Sequence, residues 1–129
     1  MIPLDSQRRY FAEELEAVAN LRTPGLVDAF AAVPRERFLA EGPWTLKSDA
    51  DFGGPGRLSA DADPRRLYHN VAVAIDVDRL LYNGMPGFVA LCIDALALEA
   101  RSGSHVVRAV AELDPSHVDR ASSKYCLLR

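Results

Sequence analysis

The stretch LYHNVAVAIDVDRLLYNGMPGFVALCIDALAL, residues 67–98, decides the fold of this chain. Its first part alternates valine or isoleucine with alanine over 71–75, which predicts a strand with one small-residue face. Asp76-Val77-Asp78 and Asn83-Gly84 then predict two turns. A nearly all-apolar helix follows from Pro86 to Leu98, and because its large residues surround the axis, we expect it to be buried on most sides. A strand and a helix in one core indicate an α+β fold.

Cap and proline signals divide the preceding residues into short helices. The apolar spacing in Ser6–Ala19 predicts an amphipathic helix, with Asp5 or Ser6 capping its free N–H groups. Thr23-Pro24 predicts the start of a second helix and Asp63-Pro64 the start of a third, because a proline in the first turn needs no N–H. We therefore expect a mostly helical chain, with three or more helices and one or two short strands.

The segment 41–62 is rich in glycine and proline and carries no periodic pattern. About 20 residues without regular structure is long for a compact domain, so we predict a flexible loop or a functional flap. Asp49 and Asp51 have the spacing that begins a calcium loop, but the twelfth position from Asp49 is Ala60 rather than a glutamate. No metal site is therefore predicted.

Composition narrows the class of protein. The chain has 129 residues, the size of one domain, and its net charge of −3 gives no basic footprint for nucleic acid. The longest apolar run, Pro86–Leu98, is 13 residues long, short of the roughly 20 that cross a bilayer, so no membrane span is predicted. Cys92 and Cys126 form no Cys-x-x-Cys motif, and without an apolar leader at the N-terminus we expect a cytoplasmic protein.

Three linked stretches resemble the N-terminal segment of the protein-L-isoaspartate O-methyltransferases, which use S-adenosylmethionine. They are NLRTPGLVDAFAAVPRERF (20–38), HNVAVAID (69–76) and LLYNGMPGFVALCIDALAL (80–98). The resemblance implies the N-terminal portion of a Rossmann-like α/β methyltransferase without its complete parallel sheet. It also implies a protein or peptide substrate. Residues 1–98 would form the methyltransferase segment, and 99–129 a divergent or truncated tail.

The resemblance also points to residues beside the substrate and the cofactor. Aligned on Pro86, the family's Ser-Gln-Pro turn places its serine and glutamine on Gly84 and Met85, so the hydroxyl and amide of that turn are missing here. Tyr82 and Asn83 are the only nearby polar side chains that can replace them. No catalytic residue is assigned, because a carboxylate that is already ionised at neutral pH needs no general base, only positioning.

The family's Gly-x-Gly-x-Gly cofactor loop has no counterpart in the sequence, since no glycine follows Gly103. We therefore expect the chain to be inactive by itself, and binding of the cofactor stays an open question. The alternative is a non-catalytic interaction module that docks onto a methyltransferase or another partner, with 41–62 as a contact arm. The apolar helix 86–98 is expected to cause self-association or to bind a protein partner. A small hydrolase or metal protein is a third class with little support.

Overall fold

The computed structural model describes residues 1–51 and 53–97, which form a small α+β fold. Within these ranges there are three α-helices, four strands and three short 3-10 helices. The strands make one sheet in the order β2-β1-β3-β4, and every neighbouring pair is antiparallel. The elements are α1 (Leu4–Ala19), α2 (Leu26–Ala32), α3 (Pro86–Ala95), β1 (Thr45–Lys47), β2 (Arg57–Leu58), β3 (Ala72–Asp76), β4 (Leu81–Tyr82) and the 3-10 helices Arg35–Phe38, Asp49–Asp51 and Pro64–Leu67.

Helix α1 is the amphipathic helix that the sequence predicts, but it begins earlier. The chain enters through Pro3, whose carbonyl accepts a hydrogen bond from the Gln7 N–H at 3.1 Å, and no side chain caps the helix. The predicted cap is therefore wrong. Asp5 lies inside the first turn, where its carboxylate accepts a hydrogen bond from Arg8 at 3.1 Å.

The start of α2 also differs from the prediction. Gly25, at a φ of 80°, occupies the cap position, and Thr23 and Pro24 form the turn before it. Thr23 lies two residues before this cap position; its hydroxyl donates to the carbonyl of Asp94, and its N–H donates to the Asp94 carboxylate at 2.7 Å. This contact fastens the α1–α2 turn to the end of α3.

The segment 41–62 contains the paired strands β1 and β2, so the expectation of irregular structure is wrong for those residues. Trp44 is buried. Its backbone N–H donates to the Ser59 hydroxyl at 3.0 Å, and its backbone carbonyl accepts from the Ser59 N–H at 2.7 Å. These bonds connect positions 15 residues apart. A local reading of the sequence cannot detect such a pairing.

Three predictions for residues 63–95 are confirmed and one is wrong. The strand β3 and the Pro86 helix start lie where the sequence placed them, and Asp63 caps the 3-10 helix Pro64–Leu67. However, α3 is not buried on most sides. Only Pro86, Gly87 and Ala90 are buried, because α3 packs closely along α1 on one side alone. None of the helices within 1–51 and 53–97 has the length and apolar character needed to cross a membrane.

The core lies where α1, α2, α3 and β3 meet. Its largest fully buried side chains are Leu15, Leu67, Tyr68 and Val73. The Tyr68 ring meets the ring of Phe11 edge-on, with the centroids 5.7 Å apart. Tyr68 is thus the one fully buried large side chain in this core with a polar atom, and its hydroxyl must find hydrogen-bond partners.

The hydroxyl of Tyr68 joins three separate parts of the chain. It donates to one carboxylate oxygen of Glu36 and accepts from Arg8 Nε and the Arg35 N–H, each at 3.0 Å. Arg8 also donates to the other Glu36 oxygen at 2.5 Å. We call Arg8, Glu36, Tyr68 and the backbone N–H of Arg35 the Tyr68 network. It uses the full bonding capacity of a phenol and fixes the 3-10 helix Arg35–Phe38 against α1.

In the Tyr68 network the phenol is neutral, whereas Glu36 and Arg8 are charged. Burial, together with the hydrogen bond to Glu36, raises the pKa of Tyr68 to about 12, so the phenol stays neutral. Burial opposes ionisation of Glu36, but the hydrogen bonds from Tyr68 and Arg8 outweigh it and hold the pKa of Glu36 below its ordinary value. Glu36 is therefore a carboxylate at neutral pH, and Arg8 supplies the opposite charge.

Removing the phenol oxygen should cost stability. In Tyr68→Phe the partly buried Arg35 N–H and one Glu36 oxygen lose their partner, so we expect the free energy of unfolding to fall by about 2 kcal/mol. Urea unfolding measures this change. Tyr10→Phe is the matched control because Tyr10 is 56% exposed, and it should stay within about 0.5 kcal/mol of the parent. Equal losses in the two variants would contradict the importance of the Tyr68 network.

Acid should weaken the fold through Glu36. Its pKa is lower in the folded chain than the ordinary value of 4.5, so the ionised group stabilises the fold at neutral pH. That contribution is lost as the pH falls below 4.5 and through the folded pKa. Urea unfolding between neutral pH and acid should therefore give a steeper loss for the parent than for Glu36→Gln. Parallel curves would show that Glu36 does not contribute to the acid sensitivity.

Candidate functional site: a cleft at the start of α3

A cleft of about 80 Å³ opens between the 3-10 helix Arg35–Phe38, the end of β3 and the start of α3. Most of its wall is apolar, and the two polar side chains in the wall are those of Arg35 and Asn83. The other lining residues are Phe11, Phe30, Val33, Phe38, Leu39, Ile75, Gly84, Pro86 and Val89. The cleft is therefore an apolar pocket with polar groups on two sides, the usual form of a ligand site.

Asn83 continues the sheet beyond the end of β4. Its N–H donates to the carbonyl of Val73 at 3.0 Å, and its Oδ1 accepts from the N–H of Val73 at 2.8 Å. This pairing identifies the amide oxygen, because only an oxygen can accept from the Val73 N–H. The Nδ2 group of Asn83 donates to no acceptor among residues 1–51 and 53–97, and it is not buried.

The turn from Gly84 to Gly87 is held from both sides. Gly84 has a φ of 86°, a conformation that suits glycine, and it leads directly into Pro86 at the first turn of α3. The N–H of Gly87 donates to Asn70 Oδ1 at 2.8 Å. A side chain at Gly87 would meet Val18 of α1 at 3.0 Å, so glycine lets the two helices approach. The lip of the cleft is thus positioned by packing as well as by hydrogen bonds.

Three of the five residues predicted to lie near substrate or cofactor line the cleft: Asn83, Gly84 and Pro86. The other two do not. The hydroxyl of Tyr82 donates to the carbonyl of Pro55 at 2.6 Å, which ties β4 to the β1–β2 connection. Met85 stands at the cap of α3, where its carbonyl accepts from the Val89 N–H at 3.0 Å.

Arg35 is the cleft residue that the sequence did not single out. Its guanidinium donates to the carbonyls of Leu67, His69 and Val71, and it lies over the Phe11 ring at 5.0 Å from the centroid. Burial lowers the pKa of Arg35 to about 10, which leaves it charged at neutral pH. Arg35 belongs to the Val-Pro-Arg-Glu stretch that carries part of the resemblance. Its hydrogen-bond partners are backbone carbonyls, which every residue has, so the sequence does not reveal them.

The cleft can bind and orient, but its lining side chains include no nucleophile and no general base. Its two polar side chains, Arg35 and Asn83, carry N–H donors, and Arg35 adds a positive charge, so they suit an acceptor group or an anion. Among the described residues there is no group of three or more His, Cys, Asp or Glu side chains placed to hold a metal ion. The arrangement therefore favours recognition of a ligand over direct chemistry by the protein.

The cleft does not fit a whole molecule of S-adenosylmethionine. Arg35, its one charged side chain, suits the carboxylate of the methionyl part, but no acidic side chain lines the cleft to offset the positive sulfonium. The volume of about 80 Å³ is also well below the roughly 300 Å³ at which small-molecule pockets begin. The tail predicted for 99–129, where the family's cofactor loop would follow, lies outside the described residues, as do Leu98 and Cys126.

Comparisons of the chain with protein-family models, with curated proteins and with solved structures give no match.

Proposed function

We propose that residues 1–97 form the substrate-binding segment of a protein carboxyl methyltransferase that resembles the protein-L-isoaspartate O-methyltransferases. One observation carries the proposal. Two of the stretches that carry the resemblance, around Arg35 and around Asn83, lie almost 50 residues apart in the chain, yet both line the same cleft. Chance similarity at two separate positions gives no reason for them to meet. A shared ligand site does.

The chemistry of the cleft agrees with this class of reaction. Transfer of a methyl group to a carboxylate needs an ionised acceptor held in place, and no side chain has to remove a proton. The cleft offers N–H donors without a base, which favours this reaction class over hydrolysis. In this proposal S-adenosylmethionine is held by groups other than the described residues. The antiparallel sheet would then lie beside the parallel sheet of a Rossmann-like core.

A binding experiment tests the proposal. Peptides with an aspartyl or isoaspartyl residue should shift the amide resonances of Gly84 and Val89 in ¹⁵N spectra of the full chain, since these residues line the cleft. The same peptides with asparagine should shift them much less. Calorimetry with S-adenosylhomocysteine should give no heat, with a full-length family member as the positive control. Peptide shifts absent from the cleft would contradict the proposed function, and micromolar cofactor binding would contradict the expectation that residues 1–129 lack a cofactor site.

The second candidate is the interaction module, and the surface of α3 favours it. Phe88, Leu91, Cys92 and Leu96 are exposed on the side of α3 that faces away from α1, and we call them the outer face of α3. Phe88 is 67% exposed, which is unusual for so large an apolar side chain, and four such neighbours form a patch typical of contact surfaces. In this candidate the chain docks onto a methyltransferase, another protein or a second copy through this face.

Sedimentation of the full chain over a range of concentrations tests the second candidate. We expect self-association that Leu91→Asp abolishes, because a charge on the outer face of α3 loses its solvation on contact. Val77→Asp is the matched control, since Val77 is 54% exposed against 48% for Leu91 but lies on the β3–β4 turn. A monomer at every concentration, or equal effects of the two substitutions, would contradict self-association.

A further inference from the structure

We propose that the cleft binds a carboxylate on a short apolar body, held by the side chains of Arg35 and Asn83. This inference deepens the proposed function and rests on it for the biological ligand, a carboxyl group on a protein. It names the two residues that recognise the ligand. Three features of the cleft support it in turn: the charge of Arg35, the free N–H donors and the apolar wall.

The charge of Arg35 is the first step. Five arginines form hydrogen bonds through their guanidinium groups in the described residues. Arg8, Arg9, Arg65 and Arg66 each pair with a carboxylate, whereas Arg35 bonds only to carbonyls. A partly buried cation without an opposite charge is costly, and an anion in the cleft would supply the missing partner.

Free donors are the second step. The carbonyls of Leu67, His69 and Val71 take three of the five N–H groups of Arg35, which leaves two for a ligand. Asn83 adds the two hydrogens of Nδ2, because its Oδ1 is already bonded to Val73. Donors on two sides of one cleft match the two oxygens of a carboxylate, and hydrogen bonds to an ionised acceptor are the strong kind.

The apolar wall is the third step and sets the size of the ligand. Phe30, Val33, Ile75 and Val89 surround the space of about 80 Å³, and no carboxylate lines it. A methyl or methylene body fits such a wall, while a second charge would lose its water without gaining a partner. The ligand class is therefore a short aliphatic carboxylate, either a side chain of a peptide or a free acid.

The same observations allow a purely structural role, in which Arg35 only fastens residues 67–71 to the 3-10 helix. The two roles differ in what they require of Asn83. If the role of Arg35 is only structural, removing the Nδ2 group of Asn83 has no effect on it. If the cleft binds a carboxylate, the same change removes two of the hydrogen-bond donors to the ligand. A test at Asn83 therefore separates the roles without breaking the contacts of Arg35.

Titration of the full chain with isobutyrate at neutral pH, followed in ¹⁵N spectra, is the first measurement. Isobutyramide has the same shape without the charge. We expect millimolar binding of isobutyrate that shifts Gly84, Val89 and the Arg35 Nε–H, and binding of isobutyramide at least about tenfold weaker. Equal binding of the two probes would overturn the inference, and this comparison needs no variant.

Asn83→Asp is the decisive variant. It keeps an oxygen for the Val73 N–H but replaces the Nδ2 donors with negative charge, so isobutyrate binding should fall at least about tenfold. Asn70→Asp is the matched control, because Asn70 also accepts a backbone N–H, that of Gly87, but does not line the cleft. It should change binding less than about twofold. Equal losses in the two variants would overturn the inference.

The outcomes also separate this inference from the proposed function. Isobutyrate binding that depends on Asn83, without any effect of aspartyl or isoaspartyl peptides, would favour a free acid as ligand and contradict the proposed function alone. Cleft shifts with peptides that persist in Asn83→Asp, without a preference for isobutyrate over isobutyramide, would keep the proposed function and overturn the roles of Arg35 and Asn83.

Discussion

A single phenol oxygen, that of Tyr68, constrains most of this structure. It lies in the core, where no water is available, so its partners must come from the chain itself. Arg8 arrives from α1, and Glu36 and the Arg35 N–H arrive from the 3-10 helix. Because all three must reach one atom, the angle between α1 and the 3-10 helix has little freedom.

The arrangement also separates two neighbouring side chains with opposite charge. The Glu36 carboxylate accepts hydrogen bonds from Arg8 and Tyr68, so its charge is balanced inside the Tyr68 network. Arg35 turns toward the carbonyls of 67–71 and the cleft, and its charge is left without a carboxylate among the described residues. An ion pair between the two would satisfy both groups locally. Their separation leaves Arg35 as the one charged side chain among the residues that line the cleft.

Local patterns predicted the elements whose signals are local. The alternation at 71–75, Pro86 at the start of α3 and the Asp63 cap each depend on a few adjacent residues, and each is confirmed. The pairing of β1 with β2 and the hydrogen bonds of Thr23 to Asp94 join residues that are distant in the chain, so local patterns did not predict them. In the cleft, Asn83, Gly84 and Pro86 were predicted by resemblance. Arg35 was missed as a site residue because its partners are backbone carbonyls.

Helix α3 carries the cleft on one side and an open apolar surface on the other. Val89 lines the cleft, and its neighbour Phe88 points to the outer face. The helix has ten residues and is fastened at both ends, by Asn70 at the start and by Asp94 at the finish. It must therefore move as one piece. A partner that covers Phe88 and shifts α3 would therefore also shift Val89 in the wall of the cleft.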